Sequence, residues 1–505
     1  MSKLRSNVFA NLLGQGWAAL LQLAFVPVYI RLIGIEAYGL IGFYVTLMTT
    51  IQVFDLGLGQ TMTREFARLA AGPDRLRDSR DLLKTVGLVY WGMSALIAAI
   101  VLLAAPFLAG HVIKAQTLSH ETTRHAIMLM AIIIPMQWAI NLRFGALMGL
   151  ELQVLVNVLR IVMATIAAVG GVLVLWLVSA TITAFFWWQV LVSLANFTAV
   201  AVLLSRTLPP ASRRPRFNIA ILRKIGQFAA GMSGISIASI ILTQLDKWVL
   251  INLLPLDNFG YYMLACVVAN SLYIFITPLF SGLFPRFSAM SAQDHDDHLR
   301  KLYHLGTQVM ATAVIPAAIV LSLFSYQVLA LWTRNPEVAV AAAPLVSILV
   351  WGTALNGLMN IPYALQLSYG WTSLALRIVL VKLVIMVPAI IILTVKLDVI
   401  GAAIAWLSVN VLYVLIGVPL THSRLLKGEA VAWFAKDVLP AAAAALLAGG
   451  ITYAAYPAGA SAAVSLVFLA CALTVSMLAA GLVGRETRPL IAAQVRKWGL
   501  LPRGS

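Results

Sequence analysis

Residues 242–269 read LTQLDKWVLINLLPLDNFGYYMLACVVA. Two apolar runs meet here at the short turn LLPLDNFG, and they extend outward to about 228 and 282. Runs of this length are typical of transmembrane helices, because about 20 apolar residues cross the hydrocarbon of a bilayer. The stretch therefore predicts a hairpin of two membrane helices. Asp246 and Lys247 lie inside the first helix, and ionisable residues within a membrane are functional candidates by default.

The rest of the chain repeats this pattern. Of its 505 residues, 61% are hydrophobic and 10% are charged, whereas a soluble domain carries about 25% charged residues. We predict an all-α polytopic membrane protein with about 14 transmembrane helices. The predicted spans are roughly 8–30, 38–59, 84–108, 125–148, 154–177, 181–205, 228–253, 259–282, 304–330, 341–366, 372–395, 399–421, 436–456 and 460–483.

The positive charge of the chain is a topology signal. The formal net charge is +17, and 26 of the 35 Lys and Arg residues fall in segments on the predicted side of the N-terminus, against 5 on the opposite side. Lys and Arg are enriched in cytoplasmic loops of membrane proteins. We therefore predict that both termini are cytoplasmic, and the charge gives no reason to expect a nucleic-acid partner.

An internal repeat divides the chain. An offset of 221 residues aligns LIGIEAYG (32–39) with LLPLDNFG (253–260), each a predicted outside turn between the first two spans of a six-span half. Halves with an even number of spans are parallel repeats, related by an axis along the membrane normal. The predicted parts are an N-terminal lobe 1–205, a basic cytoplasmic linker 206–227, a C-terminal lobe 228–421, two further helices with a cytoplasmic tail 422–499, and LLPRGS (500–505), which is typical of a protease-site remnant.

Polar stripes on several spans predict a water-filled cleft between the lobes, because polar side chains avoid lipid. The neutral candidates for substrate binding are Asn11, Gln15, Gln22, Gln52, Asn270, Tyr273, Asn356 and Asn360. The cationic candidates are Arg31, Arg160, Lys247, Arg377 and Lys382, and the candidates for ion coupling are Asp55 and Asp246. The same stripes could instead form helix–helix contacts with no cleft.

Asp246 and Lys247 are adjacent, and neighbouring residues of a helix point about 100° apart. We therefore expect the two side chains not to pair with each other, although both could reach one wide cavity. The cation could meet an anionic ligand, and the carboxylate could bind a proton or a coupling ion. A structural ion pair between the lobes is the alternative.

The opening stretch, followed by FPRFSAM (284–290), resembles the central signature of Wzx-type oligosaccharide flippases. These form the polysaccharide transporter branch of the multidrug/oligosaccharidyl-lipid/polysaccharide (MOP) exporter superfamily. YIRLIGIEAYGLIGFYVTL (29–47) and FDLGLGQTMTREFA (54–67) are similar to the start of such proteins. Lipid II flippases of the same superfamily are far richer in arginine in their first two helices, so this chain departs from them.

The resemblance implies a MATE-like fold of two six-helix lobes with a central cationic cavity, plus two C-terminal helices. It implies flipping of an undecaprenyl-diphosphate-linked oligosaccharide, such as an O-antigen or exopolysaccharide repeat unit, to the periplasmic leaflet of the bacterial inner membrane. Alternating access would be coupled to H⁺ or Na⁺. Membrane lipids and the polysaccharide polymerase machinery are the other implied partners.

No cofactor and no enzymatic activity are predicted. The chain has no G-x-x-x-x-G-K-[ST] loop for a nucleotide and no nucleophile–base arrangement within its spans, and we predict no metal site. Two other functions stay open. One is a small-molecule cation or drug antiporter of the same superfamily, for which 12 spans and an acidic cavity are expected. The other is a non-transporting scaffold of polysaccharide assembly, whose polar faces would be satisfied by protein groups.

Overall fold

The computed structural model describes the backbone of residues 2–55, 58–71, 79–208, 215–291 and 296–489, and it describes their side chains except at 2–12, 15, 71, 220–221, 223–236 and 296. The described residues are almost entirely helical. The chain divides into two compact units, Met1–Gly260 and Tyr261–Ser505. The predicted division at the basic linker 206–227 stays a prediction.

The first unit contains seven helices among its described residues. They are α1 (Ser2–Ile51), α2 (Leu58–Ala71), α3 (Ser79–Phe107), α4 (His120–Gly149), α5 (Gln153–Leu177), α6 (Ile182–Thr207) and α7 (Ile219–Leu253). A 3₁₀ turn, Gln52–Asp55, follows α1, and a π-helical turn, Leu108–Val112, follows α3. Helix α8 (Leu256–Asn270) crosses the boundary between the units.

The described part of the second unit continues with nine helices. They are α9 (Tyr273–Ser291), α10 (Asp296–Leu323), α11 (Ser325–Thr333), α12 (Pro336–Leu358), α13 (Asn360–Ser368), α14 (Thr372–Arg424), α15 (Ala430–Ala432), α16 (Leu439–Ala454) and α17 (Ala462–Val483). A π-helical turn, Trp433–Val438, joins α15 to α16. Hydroxyl and amide side chains start several helices: Ser119 accepts a hydrogen bond from Thr122 N, Thr181 from Ala184 N, and Asn335 from Glu337 N and Val338 N. Such caps satisfy backbone donors that the helix itself leaves unpaired.

Among the described residues, ten helices are long and apolar enough to cross a membrane, or eleven if the bent pair α8 and α9 counts as one span. Two of the ten are too long for a single span. Helix α14 has 53 residues, roughly 80 Å at 1.5 Å per residue, against about 30 Å of hydrocarbon. It breaks at Asp398, where φ is 56°, and α1 breaks at Gly34, where φ is 83°. Both breaks lie where the sequence predicts a turn between spans. The total of 14 spans stays a prediction.

The sequence predicts one continuous span at 259–282. In the structure this segment is divided between two helices, α8 and α9, whose axes are bent by 44°. The bend lies at Ser271 and Leu272, between the two helices. The Ser271 hydroxyl donates to Val268 O at 2.7 Å. Serine hydroxyls that bond back to helix carbonyls are known to bend helices, and the apolar composition of the segment does not reveal this.

The two copies of the repeat meet in a reciprocal contact. A Cβ atom on Gly39 would lie 2.6 Å from Leu256 O, and a Cβ atom on Gly260 would lie 2.5 Å from Ile35 O. The offset of 221 maps Ile35 onto Leu256 and Gly39 onto Gly260. Gly39 therefore packs against Leu256, and its repeat equivalent Gly260 packs against Ile35, the repeat equivalent of Leu256. This reciprocity is expected of a two-fold related contact. Only a residue without a side chain allows backbones to approach this closely.

The described ends of the basic linker are bonded to the start of α3. Arg216 N donates to Asp81 Oδ1 at 2.8 Å, and Asn218 N donates to Thr85 Oγ1 at 3.0 Å. Lys84 Nζ reaches Pro215 O at 3.0 Å. This part of the linker is therefore held by the first unit's own helix, through the backbone N–H groups of Arg216 and Asn218 and the carbonyl of Pro215.

Candidate functional site

Asp246 and Lys247 form an ion pair on α7. Lys247 Nζ lies 2.9 Å from Asp246 Oδ1 and 3.0 Å from Oδ2, and it also donates to Thr243 O at 2.8 Å. The expectation that the two side chains do not pair is therefore wrong. The flexible four-carbon stem of lysine carries its ammonium around the helix. Asp246 is buried and 4% exposed, so the lysine compensates a charge that the membrane interior would otherwise disfavour.

Asp55, the other predicted coupling residue, lies between three structural elements. Its carboxylate accepts a hydrogen bond from Gly59 N at 3.3 Å, at the start of α2, and another from the Tyr90 hydroxyl of α3. A carboxylate at a helix N-terminus satisfies a free backbone donor and complements the helix dipole. The arrangement ties the end of α1 to α2 and α3.

Four side chains of the second unit form one polar network, which extends from the buried Lys382 and Asn410 to the exposed Tyr273. Lys382 Nζ donates to Asn410 Oδ1 at 3.2 Å, and Asn356 Nδ2 donates to the same oxygen at 3.0 Å. The Tyr273 hydroxyl donates to Asn356 Oδ1 at 3.1 Å. Asn360, one turn further on, donates to Asn356 O at 3.0 Å. The structure thus brings together Lys382, Tyr273, Asn356 and Asn360, which were all predicted site residues.

Lys382 is the charged member of this network, and it is 7% exposed. Its ammonium lies 4.2 Å from the centroid of the Tyr413 ring, a cation–π contact. Within the part of the chain that the structure describes, Lys382 has no ion pair with a carboxylate. A buried cation supported only by neutral groups is costly, and an anionic ligand would supply the missing charge.

A second polar region lies within the first unit, between α1, α4, α5 and α6, in a cavity of about 410 Å³. We call it the amide cavity. Its polar side chains are Gln137, Asn141, Asn157, Arg160, Gln189 and Asn196. Helix α1 contributes Gly14 and Ala18, whose small size leaves room for these side chains. The Arg160 guanidinium lies over the Phe144 ring, 4.8 Å from its centroid.

The other predicted residues are not drawn into either region. Five of them have exposed side chains that make no hydrogen bond or ion pair with the described residues: Gln22, Arg31, Gln52, Asn270 and Arg377. The side chains of Asn11 and Gln15 lie outside the described residues.

Several residues were missed by the sequence analysis. Asn410 joins Lys382 to Asn356, and five amides share a cavity with Arg160. A signal for them exists in the sequence. Gln137 and Asn141 are four residues apart, Asn157 and Arg160 three, and Gln189 and Asn196 seven, so each pair shares a helix face. The same search for polar stripes, applied to spans four to six, would have found the five amides.

Comparison with known proteins supports one family. A family model described as "Polysaccharide biosynthesis protein" matches residues 4–291, and the model MatE matches residues 232–392. The "Putative O-antigen transporter" of Shigella flexneri is 22% identical over 407 residues, which cover 80% of this chain and 94% of that protein.

Solved structures show the same fold. The inward closed conformation of the lipid II flippase MurJ aligns with a TM-score of 0.70 and 14% identity, covering 96% of this chain and 100% of that one. The inward-facing conformation of a multidrug resistance MATE family transporter of the MOP superfamily aligns with a TM-score of 0.68 and 15% identity, covering 82% and 95%. The predicted all-α MATE-like fold is therefore confirmed. Since the first family model spans more than half of the sequence, the chain belongs to the polysaccharide biosynthesis protein family.

Proposed function

We propose that this protein is a flippase that moves an undecaprenyl-diphosphate-linked oligosaccharide from the cytoplasmic to the periplasmic leaflet. The observation that carries the proposal is the buried Lys382, whose described partners are all neutral. The diphosphate of such a lipid is the kind of anion that a buried ammonium favours. Transport, with no catalytic step, is the activity proposed.

The neutral members of the same network suit the rest of such a substrate. Asparagine amides offer both donors and acceptors, and the Tyr273 hydroxyl offers one of each. Sugar hydroxyls need this mixture. Tyr273 is 37% exposed, so the network has one accessible end and one buried, charged end at Lys382.

We assign ion coupling to the Asp246–Lys247 pair. In the structure the carboxylate holds the ammonium through both oxygens. A proton or Na⁺ on Asp246 would neutralise the carboxylate and release Lys247 to bind an anionic group of the substrate. Loss of the ion after transport would restore the pair and expel the anion. Coupling is assigned to Asp246 over Asp55, because Asp55 is held by Gly59 N and Tyr90 in a structural cap.

A cation antiporter is the second candidate function, and the match of residues 232–392 to MatE is the observation that favours it. Such a protein needs an acidic group to bind its cationic substrate. The described side chains of the amide cavity include no carboxylate, and the polar network of the second unit contains a lysine. Both features favour an anionic substrate.

The test is leaflet exchange in proteoliposomes. The full chain is reconstituted with fluorescent undecaprenyl-diphosphate oligosaccharide, with and without a pH or Na⁺ gradient. We expect exchange that a gradient accelerates. No exchange with folded protein, together with gradient-driven uptake of a lipophilic dye cation, would establish the antiporter instead. If neither activity is observed, the result favours the non-transporting scaffold.

The placement in the cell is part of the proposal. The apolar helices make this a multi-pass membrane protein. We infer that it resides in a bacterial inner membrane with both termini cytoplasmic, where the lipid-linked substrate is made. Membrane lipids surround it there, and the polymerase machinery that consumes the flipped unit is the proposed protein partner.

A further inference from the structure

The amide cavity carries a charge that its walls do not balance. Arg160 is the charged residue among the described lining, and no Asp or Glu lines the cavity. Arg160 is exposed, and it makes no hydrogen bond or ion pair with the described residues. Its guanidinium lies over the Phe144 ring. Its five guanidinium donors are therefore available for a planar, bidentate anion.

The amides of the cavity are also incompletely satisfied. Asn196 Oδ1 is buried and has no hydrogen-bond partner among the described residues. The side chains of Asn141 and Gln189 make no hydrogen bond there either, whereas Gln137 Nε2 donates to Ser193 Oγ at 3.2 Å. Buried polar atoms in native proteins are nearly always paired, so a ligand hydroxyl group would complete the bonding of Asn196 Oδ1. The amides of the exposed Asn141 and the half-buried Gln189 are open to further hydroxyl groups.

We propose that the amide cavity is a saccharide subsite that recognises a sugar bearing one carboxylate, such as a hexuronic acid. Arg160 pairs with the carboxylate, and Asn141, Gln189 and Asn196 bind the ring hydroxyls. This deepens the proposed function and rests on it, since the sugar would belong to the oligosaccharide that is flipped. The cavity volume of about 410 Å³ lies in the usual range for small-molecule sites, about 300–1,000 Å³.

The diphosphate of the lipid carrier is the other source of anionic oxygen, and the charge count disfavours it. A diphosphate diester carries two negative charges, whereas the described lining of the cavity offers one guanidinium. Neither Lys382 nor Lys247 is among the described residues that line the cavity. A single carboxylate matches Arg160 in charge and in bidentate geometry.

Binding to the full chain in lipid nanodiscs tests the inference separately from transport. The probes are a soluble disaccharide containing glucuronic acid, a neutral disaccharide of the same size, and pyrophosphate, followed by calorimetry. We expect the acidic disaccharide to bind more tightly than the neutral one. Arg160→Gln should lower affinity for the acidic probe roughly ten- to hundredfold, because a hydrogen bond to a charged group is worth about 1.5–3 kcal/mol. Affinity for the neutral probe should stay the same.

Two further variants control this experiment. Ala164→Phe fills the cavity from α5 and should abolish binding of both sugars. Arg143→Gln removes a neighbouring guanidinium that stacks on Phe197, 4.4 Å from the ring centroid, and bonds to Ala139 O. Arg143 does not line the cavity, so this variant should keep the preference for the acidic sugar. Unchanged thermal unfolding of each variant shows that it is folded.

Three results would overturn the inference. The first is equal affinity of the wild type for acidic and neutral sugars. The second is pyrophosphate binding that Arg160→Gln abolishes, which would assign the cavity to the carrier. The third is an equal loss in Arg143→Gln and Arg160→Gln. Failure of leaflet exchange with the acidic preference intact would reject the proposed function and leave a sugar-binding site.

Discussion

Lys382 is a buried charge whose partners among the described residues are all neutral. Its ammonium donates to Asn410 Oδ1 and faces the Tyr413 ring, and both contacts are weaker than an ion pair. The site therefore has a stability cost that an anionic ligand would relieve. Binding energy and protein stability should respond in opposite directions when this charge is removed.

Lys382→Gln should reduce leaflet exchange by more than tenfold. The glutamine amide can still donate to Asn410, and removal of an unpaired buried charge leaves stability unchanged or raises it by about 1 kcal/mol. Exchange rate and thermal unfolding of the purified variant measure the two effects. Lys396→Gln is the matched control, because Lys396 lies on the same helix and is exposed. Normal exchange in Lys382→Gln would remove this residue from the mechanism.

The Asp246–Lys247 pair predicts a separation of coupling from transport. Asp246→Asn removes the titratable carboxylate and keeps the shape, so exchange should continue and lose its dependence on the ion gradient. Lys247→Ala leaves Asp246 buried without its lysine, and it should impair exchange without preventing membrane insertion. Gradient-dependent and gradient-free exchange rates are the measurements.

Asp55→Asn is the comparison for Asp246→Asn. Because Asp55 accepts bonds from Gly59 N and Tyr90, its loss should lower the free energy of unfolding by about 1 kcal/mol. Gradient dependence should survive. If Asp55→Asn uncouples exchange and Asp246→Asn does not, the assignment of the coupling residue is reversed.

The repeat contact between α1 and α8 depends on glycine at two positions. Alanine at Gly260 would place a Cβ atom 2.5 Å from Ile35 O, and overpacking of this kind costs about 1–3 kcal/mol. Gly260→Ala should therefore lower the thermal unfolding temperature. Gly87→Ala on α3 meets nothing within 4 Å and should be neutral or stabilising, because alanine favours helix over glycine by about 1 kcal/mol. Equal effects would mean that the close approach is relaxed at little cost.

A charged cluster fastens the segment before α16 to α10. Asp437, which is 2% exposed, accepts from Gln308 Nε2 at 2.8 Å and contacts His304 Nδ1 at 2.5 Å. Glu429 contacts Arg300 at 3.3 Å and His304 at 3.4 Å. Asp437 in the π-helical turn and Glu429 before α15 thus both contact one face of α10. All of these contacts lie within the second unit.

Asp437→Ala should destabilise the protein by about 3 kcal/mol, because it leaves the buried Gln308 Nε2 without its acceptor and removes the carboxylate from His304 Nδ1. Thermal unfolding in detergent measures the change. Asp297→Ala is a suitable control on the same helix, since Asp297 is exposed. A loss of stability as large in the control would show that helix charge, and not the cluster, is responsible.

For the molecule as a whole, the distribution of Lys and Arg predicts its orientation. The connection between α14 and α15 should lie in the cytoplasm, and the connection between α16 and α17 in the periplasm. After Cys266→Ser and Cys471→Ser, a cysteine at Ala458 should react with an impermeant maleimide in intact cells. A cysteine at Lys427 should react only after permeabilisation. The opposite pattern would invert the proposed topology.

The sequence alone determined the membrane class, the all-helical fold and the family. Hydrophobic length and the requirement to satisfy backbone polar groups in lipid leave few alternatives. It also located the breaks near Gly34 and Asp398 and the residues Lys382, Tyr273, Asn356 and Asn360. The lengths of the apolar runs locate the breaks. Periodicity along one helix identifies the polar faces with Tyr273, Asn356 and Asn360, and Lys382 is a candidate because it is an ionisable residue within a span.

Only the tertiary structure decided which polar faces meet. The pairing of Asp246 with Lys247 depends on the path of a flexible side chain, and the link through Asn410 depends on α12 and α14 being neighbours. The amide cavity needs small residues on α1 opposite Arg160 on α5. Helical periodicity gives the direction of a side chain about its own axis, whereas its partner is set by the packing of helices distant in sequence.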